Sequence, residues 1–321
     1  MLCGMLTMLL LLQAAAPAPA APAKAPSEIV AAAPASDWVD IAPDDLLVMQ
    51  LAPDRDGAAR KVVIQLMPPP FSQPWIANIR TLAKAHWWDG TAVTRVQDNY
   101  VAQWGDPTEK KPLPAGLMKA SERAYMTVIP KPAENRLSRF RYPDPYSRGT
   151  LFDSGWPLAF ELIHDVPVVD QNGRPMPPST TRNAWPVHCY GMVGVGRNMP
   201  PDAGTGAELY TVIGHAPRHL DRNIALVGRV VEGIENLSSL PRGTGPLGVY
   251  EKPEQRVPIA SIRLASEQPA AARPHLQYLS TESASFAAYA DARANRRDAF
   301  FIVPAGGADI CNIPVPIRRK P

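Results

Sequence analysis

The pattern of apolar and polar positions first becomes regular at two strand-like runs. Leu46 to Ala52 (LLVMQLA) and Lys61 to Met67 (KVVIQLM) flank Asp54-Arg-Asp-Gly57, a turn signal. Together they predict an antiparallel hairpin from about Asp45 to Met67, stopped by Pro68 to Pro70. The period then changes. Ile76, Ile79, Leu82, Ala83 and His86 fall at helical spacing, which predicts an amphipathic helix ending near Trp87. Asp89-Gly90 turns the chain into an alternating run that carries Arg95, and Tyr100 to Trp104 continues as another strand. Strand signals return late in the chain at Gly191–Gly196, Leu209–Ile213, Ile224–Val231 and Val257–Leu264. Gly233 to Leu240 suits a short helix broken at Pro241. Many short strands and about two helices predict a mainly β protein built on a closed antiparallel barrel.

Three stretches depart from this pattern. Pro107 to Val187 is irregular and rich in proline. It reads as extended loops with a turn at Asp170-Gln-Asn-Gly173 and one or two short strands, such as AYMTVIP and LAFELI. The tail from Glu267 to Pro321 holds a helix-competent segment with Phe286, Tyr289, Ala290 and Ala294 on one face, interrupted by Arg293, and then an extended end. This tail either packs on the barrel or forms an appended arm. At the other end, apolar Met5 to Leu12 gives way to small residues with Ala-x-Ala spacing. That is the order of a secretory signal, and it predicts a leader over residues 1–23. The apolar run is too short for a membrane span, which takes about 20 residues. Residues 24–37 read as an Ala/Pro-rich extended linker, which leaves 38–266 for the barrel domain, with an insertion over about 107–187, and 267–321 for a C-terminal extension.

Composition narrows the functional classes. A net charge of +3 is too small to suggest a nucleic-acid partner. With 37 prolines the chain must be rich in loops and poor in long helices. Beyond Cys3, only Cys189 and Cys311 remain; an oxidising compartment would let them pair, and two buried thiols is the other reading. His188 beside Cys189 suits a structural role better than a metal site. No G-x-S-x-G elbow points to a hydrolase. Arg95 is the residue that needs a reason, because a guanidinium among aromatic and apolar neighbours is costly to desolvate.

The order hairpin, helix, Asp-Gly, Arg95-Val, Tyr100-x-x-Gln103-x-Gly-Asp106 resembles the cyclophilin family of peptidyl-prolyl isomerases. So do Gly191-Met-Val-Gly-Val-Gly196, Gly204-Thr-Gly-Ala-Glu-Leu-Tyr210, His219-Leu-Asp221 and Val227-Gly-Arg-Val-Val-Glu-Gly233, in family order over about Leu46 to Ala265. The resemblance implies an eight-stranded antiparallel barrel closed by a helix at each end, with catalysis of X-Pro rotation and no metal or cofactor. It places Arg95 at the catalytic arginine and Gln103 at the glutamine that holds it. Tyr100, Val101, Tyr210 and Leu220 fall on the proline cup. Gly196 and Arg197 fall on the pair whose backbone holds the substrate peptide, so Arg197 would act through its main chain. Several positions depart: Glu208 replaces a glutamine, His219 a Trp or Phe, Val93-Thr94 a Phe-His, and the pocket histidine is Ile224 or Asn223.

The implied partners are proline-containing segments of folding exported proteins, in the periplasm if the source is Gram-negative, with no stable membrane insertion after the leader is removed. A barrel that binds such segments without turning them over is the alternative.

Overall fold

A computed structural model describes residues 23–129, 144–163 and 181–321. In chain order, α1 (Pro26–Ala31) and β1 (Trp38–Asp40) precede the hairpin β2 (Leu46–Leu51) and β3 (Arg60–Leu66). Then come α2 (Gln73–Lys84), β4 (Ala92–Val96) and β5 (Val101–Gly105). Next are β6 (Thr127–Ile129), β7 (Gly149–Asp153), β8 (Trp156–Ile163) and β9 (Thr181–Pro186). The chain continues through β10 (Met192–Val195), β11 (Leu209–Val212), β12 (Leu226–Glu232), α3 (Glu235–Ser238) and β13 (Val257–Leu264). It ends with β14 (Leu276–Leu279), α4 (Ala284–Ala294) and β15 (Ile317–Arg319).

Eight strands close a barrel in the order β10-β11-β5-β4-β13-β2-β3-β12, and the described pairs are antiparallel. The hairpin shows why its strands read as continuous apolar runs. Leu47, Met49, Leu51, Val62 and Ile64 join the main core. The intervening Leu46, Val48 and Val63 are also buried, in a second cluster with Ile41, Ala265 and Leu276. The tail therefore covers the outer face of this part of the barrel, so both faces must be apolar. Helix α2 presents Trp75, Ile76, Ile79, Leu82 and Ala83 to the core, as the spacing predicts for the last four. His86, expected on the same face, lies beyond the helix end at Lys84, with a left-handed backbone (φ 54°) and an exposed side chain.

Two expectations are corrected. The stretch 107–187 holds more than loops with one or two short strands: the strands expected in AYMTVIP and LAFELI are β6 and β8, and with β9 and β7 they form a four-stranded antiparallel sheet in the order β6-β9-β8-β7. Its Leu151, Trp156, Leu158 and Trp185 continue the main core. The proline-rich connections hid it, because β6 pairs with β9 across more than fifty intervening residues. The turn expected at Asp170–Gly173 lies outside the described residues, as does the leader up to residue 22. The second correction concerns 24–37, read as an extended linker, which contains α1. Proline is tolerated at the first helical position, and the Glu28 carboxylate accepts a hydrogen bond from the Ala25 N–H at 2.6 Å. Ile29 and Val30 pack beside Phe286 and Tyr289 of α4.

The tail packs on the barrel instead of forming an arm. β14 pairs with β1 and β15, and all four residues expected on the face of α4 are buried. Arg293 is satisfied by the Asn312 carbonyl. Cys189 and Cys311 form a disulfide that ties the tail to the segment entering β10. Arg229 on β12 joins three regions. It donates to Gln65 Oε1 at 2.9 Å and to the insertion's Gly155 carbonyl at 2.7 Å, and it lies over the rings of Trp156 and the tail's Tyr278. Burial pushes its pKa down to about 10. No helix among the described residues is long and apolar enough to cross a membrane.

Candidate active site

β4 and β5 pair so that Arg95 stands opposite Gln103, one residue past a bulge that aims the arginine. Three acceptors fix the guanidinium. Nε donates to the Leu247 carbonyl at 2.6 Å, one terminal nitrogen donates to Gln103 Oε1 at 3.1 Å, and the other to Gln97 Oε1. A guanidinium has five N–H donors, so these three bonds leave two free to meet a ligand. Burial draws the Arg95 pKa below its ordinary value, and the neighbouring Tyr100 opposes that shift. Arginine remains cationic at neutral pH all the same.

Glu208 does not pair with Arg95. Its Oε2 accepts from Gln103 Nε2 at 2.6 Å, which leaves the amide oxygen of Gln103 facing the arginine. The chain Glu208–Gln103–Arg95 thus sets the glutamine's orientation and leaves the remaining guanidinium donors alone. Burial raises the Glu208 pKa above its ordinary 4.5, the Gln103 bond opposes the shift, and Glu109 and Asp106 add to it. The folded state therefore binds this proton more tightly than the unfolded chain does. The stability it contributes is complete below pH 4.5 and is lost as pH rises through the raised value. Glu208→Gln can still accept from Gln103. It is expected to raise the urea midpoint at pH 7 and to leave it unchanged near pH 4; equal shifts at both pH values would show that the carboxylate's burial is not the cause.

Beside Arg95 lies an apolar cluster, at the positions where the resemblance puts the proline cup. Val101, Tyr210 and Val212 form a buried cluster, with Tyr100, Leu220 and Ile224 packed against it. Strands β5 and β11 bring Val101 and Tyr210 together, and the turn at Arg218–Leu220 supplies Leu220. Tyr100 lies 5.6 Å from the Arg95 guanidinium carbon, and the exposed His219 ring stacks nearly parallel to it at 6.3 Å. Ile224, not Asn223, joins the cup: the Asn223 amide is occupied by the His219 and Asp221 carbonyls. Gly194 makes room for the Tyr210 ring, since a Cβ there would sit 2.3 Å from it.

Gly196 donates its N–H to the Glu208 carbonyl at 2.9 Å. The Arg197 side chain turns away to the carbonyls of Asn198 and Asn223. A depression of about 480 Å³ opens beside them, bordered by Gln103, Gly196, Arg197, Asp202 and Glu208 among others. The structure therefore brings Arg95, Gln103 and Glu208 together, sets Tyr100, Val101, Tyr210 and Leu220 beside them, places His219 at the edge, and puts Gly196 and Arg197 on the adjoining wall.

A family model described as cyclophilin type peptidyl-prolyl cis-trans isomerase matches residues 62–264. The chain belongs to the cyclophilin family. A search of curated proteins returns no match. Among solved structures, this cyclophilin is similar to cyclophilin AquaCyp293 from Hirschia baltica, with 21% identity, a TM-score of 0.63, and coverage of 88% of this chain and 92% of the other. A cyclophilin type peptidyl-prolyl cis-trans isomerase from Cryptosporidium parvum aligns at 11% identity and a TM-score of 0.37, covering 68% of this chain and 96% of its own. The first of these supports the fold.

Sequence reasoning missed two holders of Arg95. Gln97 had a signal, since a residue two beyond Arg95 along an extended run returns to the same face. The Leu247 carbonyl had none, because it reaches the site across 152 residues of chain.

Proposed function

We propose that this cyclophilin accelerates rotation about X-Pro bonds in folding exported proteins, with Arg95 stabilising the twisted prolyl nitrogen. The supporting observation is a guanidinium held by three acceptors, with two donors to spare, at the edge of an apolar cup. Rotation must break amide resonance, a barrier of roughly 18–20 kcal/mol. In the twisted state the nitrogen regains a lone pair that a preorganised N–H can meet, whereas the planar states offer it less. That differential binding lowers the barrier with no covalent step. The cup formed by Tyr100, Val101, Tyr210 and Leu220 holds the proline ring while the preceding residue turns. The Cys189–Cys311 bridge supports an oxidising compartment, as does the leader-like order of residues 1–23.

NMR exchange spectroscopy on a short Xaa-Pro peptide tests the activity without a coupled protease. Faster cis-trans exchange is the expected result. Binding without faster exchange would instead favour a barrel that only holds proline segments, a reading motivated by the altered rim at Glu208 and His219. Export is tested by fractionating cells that express the full sequence; recovery of an unprocessed, reduced chain in the cytosol would sink it.

A further inference from the structure

Tyr210 carries its polar end into the interior. The residue is 5% exposed, and its hydroxyl lies 2.8 Å from His188 Nε2, on a ring with no exposure at all. The two rings are nearly parallel, 12° apart. The other His188 nitrogen, Nδ1, lies 2.9 Å from Asp221 Oδ1, which also accepts the His188 backbone N–H. A carboxylate cannot donate, so Nδ1 carries the proton and Nε2 is the acceptor for the Tyr210 hydroxyl. Burial lowers the His188 pKa against the pull of Asp221, in keeping with a neutral ring. Asp221 is held in turn by Arg218 Nε at 2.6 Å, and Arg218 places its two terminal nitrogens on the two oxygens of Asp144. Asp309, which caps the turn carrying Cys311, lies 3.8 Å from the same guanidinium.

A buried polar chain of this kind is a poor source of stability compared with well-packed apolar residues. What it does supply is a single geometry. Gly194 lets the Tyr210 ring lie close against β10, and His188 fixes the ring's far end. We infer that His188 is a positioning residue for the proline cup: through the Tyr210 hydroxyl it holds one wall of the cup still, with Asp221 and Arg218 fixing its tautomer and orientation. This rests on the isomerase site proposed above. A cup wall touches the proline ring in planar and twisted states alike, so loosening it weakens binding more than turnover.

The test compares Tyr210→Phe, His188→Gln and the double variant in the full oxidised chain, with KM and kcat measured separately by peptide exchange. Each single change is expected to raise KM roughly fivefold, the worth of one hydrogen bond. The kcat per folded molecule should stay within about twofold. The double variant should be no worse than the worse single, because both remove the same bond. A variant that is merely less folded shows a lower apparent kcat at unchanged KM, and Tyr210→Phe is the mild change should His188→Gln fold poorly. The His188 Nε2 resonance should also move in Tyr210→Phe, as an acceptor that has lost its donor.

An unchanged KM in both singles would overturn the inference, as would effects that multiply in the double variant. If the wild-type chain binds the peptide without turning it over, the isomerase reading fails and peptide Kd replaces KM in the same comparison. A wild-type chain that does not bind the peptide at millimolar concentration overturns both.

Discussion

Arg95→Ala is expected to lower kcat/KM on an Xaa-Pro peptide about a hundredfold, roughly 3 kcal/mol of transition-state stabilisation, the scale found for one preorganised donor in other enzymes. The preorganisation is visible: Leu247, Gln103 and Gln97 hold three faces of the guanidinium, and Glu208 holds Gln103. Alanine removes the donor and leaves the cup intact, so peptide Kd should change far less than kcat. Stability should change little, because the side chain is only half-buried, makes no ion pair with a carboxylate, and frees acceptors that water can reach. Arg95→Lys should recover little of the loss. One ammonium cannot occupy the three acceptors and also aim a further N–H at the nitrogen. NMR exchange rates and a urea melt on each variant check both halves, and a full exchange rate in the alanine variant would falsify the role assigned to Arg95.

Cys311→Ser is expected to cost about 3 kcal/mol of stability, which for a chain of this size is roughly 4–5 °C in Tm. The bridge joins residues 122 apart in sequence, a long loop, and in the chain-entropy picture long loops gain most from closure. It also anchors a tail whose other ties are modest: short strands β14 and β15, the small cluster around Phe286 and Leu279, and ion pairs such as Lys320 with Asp40. Exposed pairs of that last kind contribute little, because water screens them. Calorimetry of the oxidised wild type, the reduced wild type and the serine variant separates the cases. The last two should melt together, below the first. If all three melt alike, the β1–β14 pairing and the Phe286 cluster hold the tail without the bridge.

The barrel's frame was legible where local pattern and final environment agree. The runs at Leu46–Ala52 and Lys61–Met67, the stripe of α2, and the late strands each carry their period in contiguous residues, and the structure places strands or helix there. Part of the site was legible for the same reason. Arg95 and Gln103 sit eight apart across a tight turn between two strands, so their pairing is nearly a local property. The buried stripe on α4 likewise followed from spacing alone.

What the sequence by itself determined, then, is the order of the barrel strands with α2 among them and the arginine on its strand, while the resemblance supplied the candidate cup residues. Tertiary structure decided the rest. It folded the proline-rich insertion into a sheet through pairings that no local period marks. It made a helix of Pro26–Ala31 because α4 offered a surface for Ile29 and Val30. It chose the disulfide over two free thiols, set Glu208 on Gln103 and not on Arg95, brought the Leu247 carbonyl to the guanidinium, and put His188 behind Tyr210. The common physical reason is range. Hydrophobic period is written along the chain and survives reading in one dimension. Hydrogen bonds and disulfides depend on distances of a few ångströms between residues far apart in sequence, and only the packed fold fixes those distances.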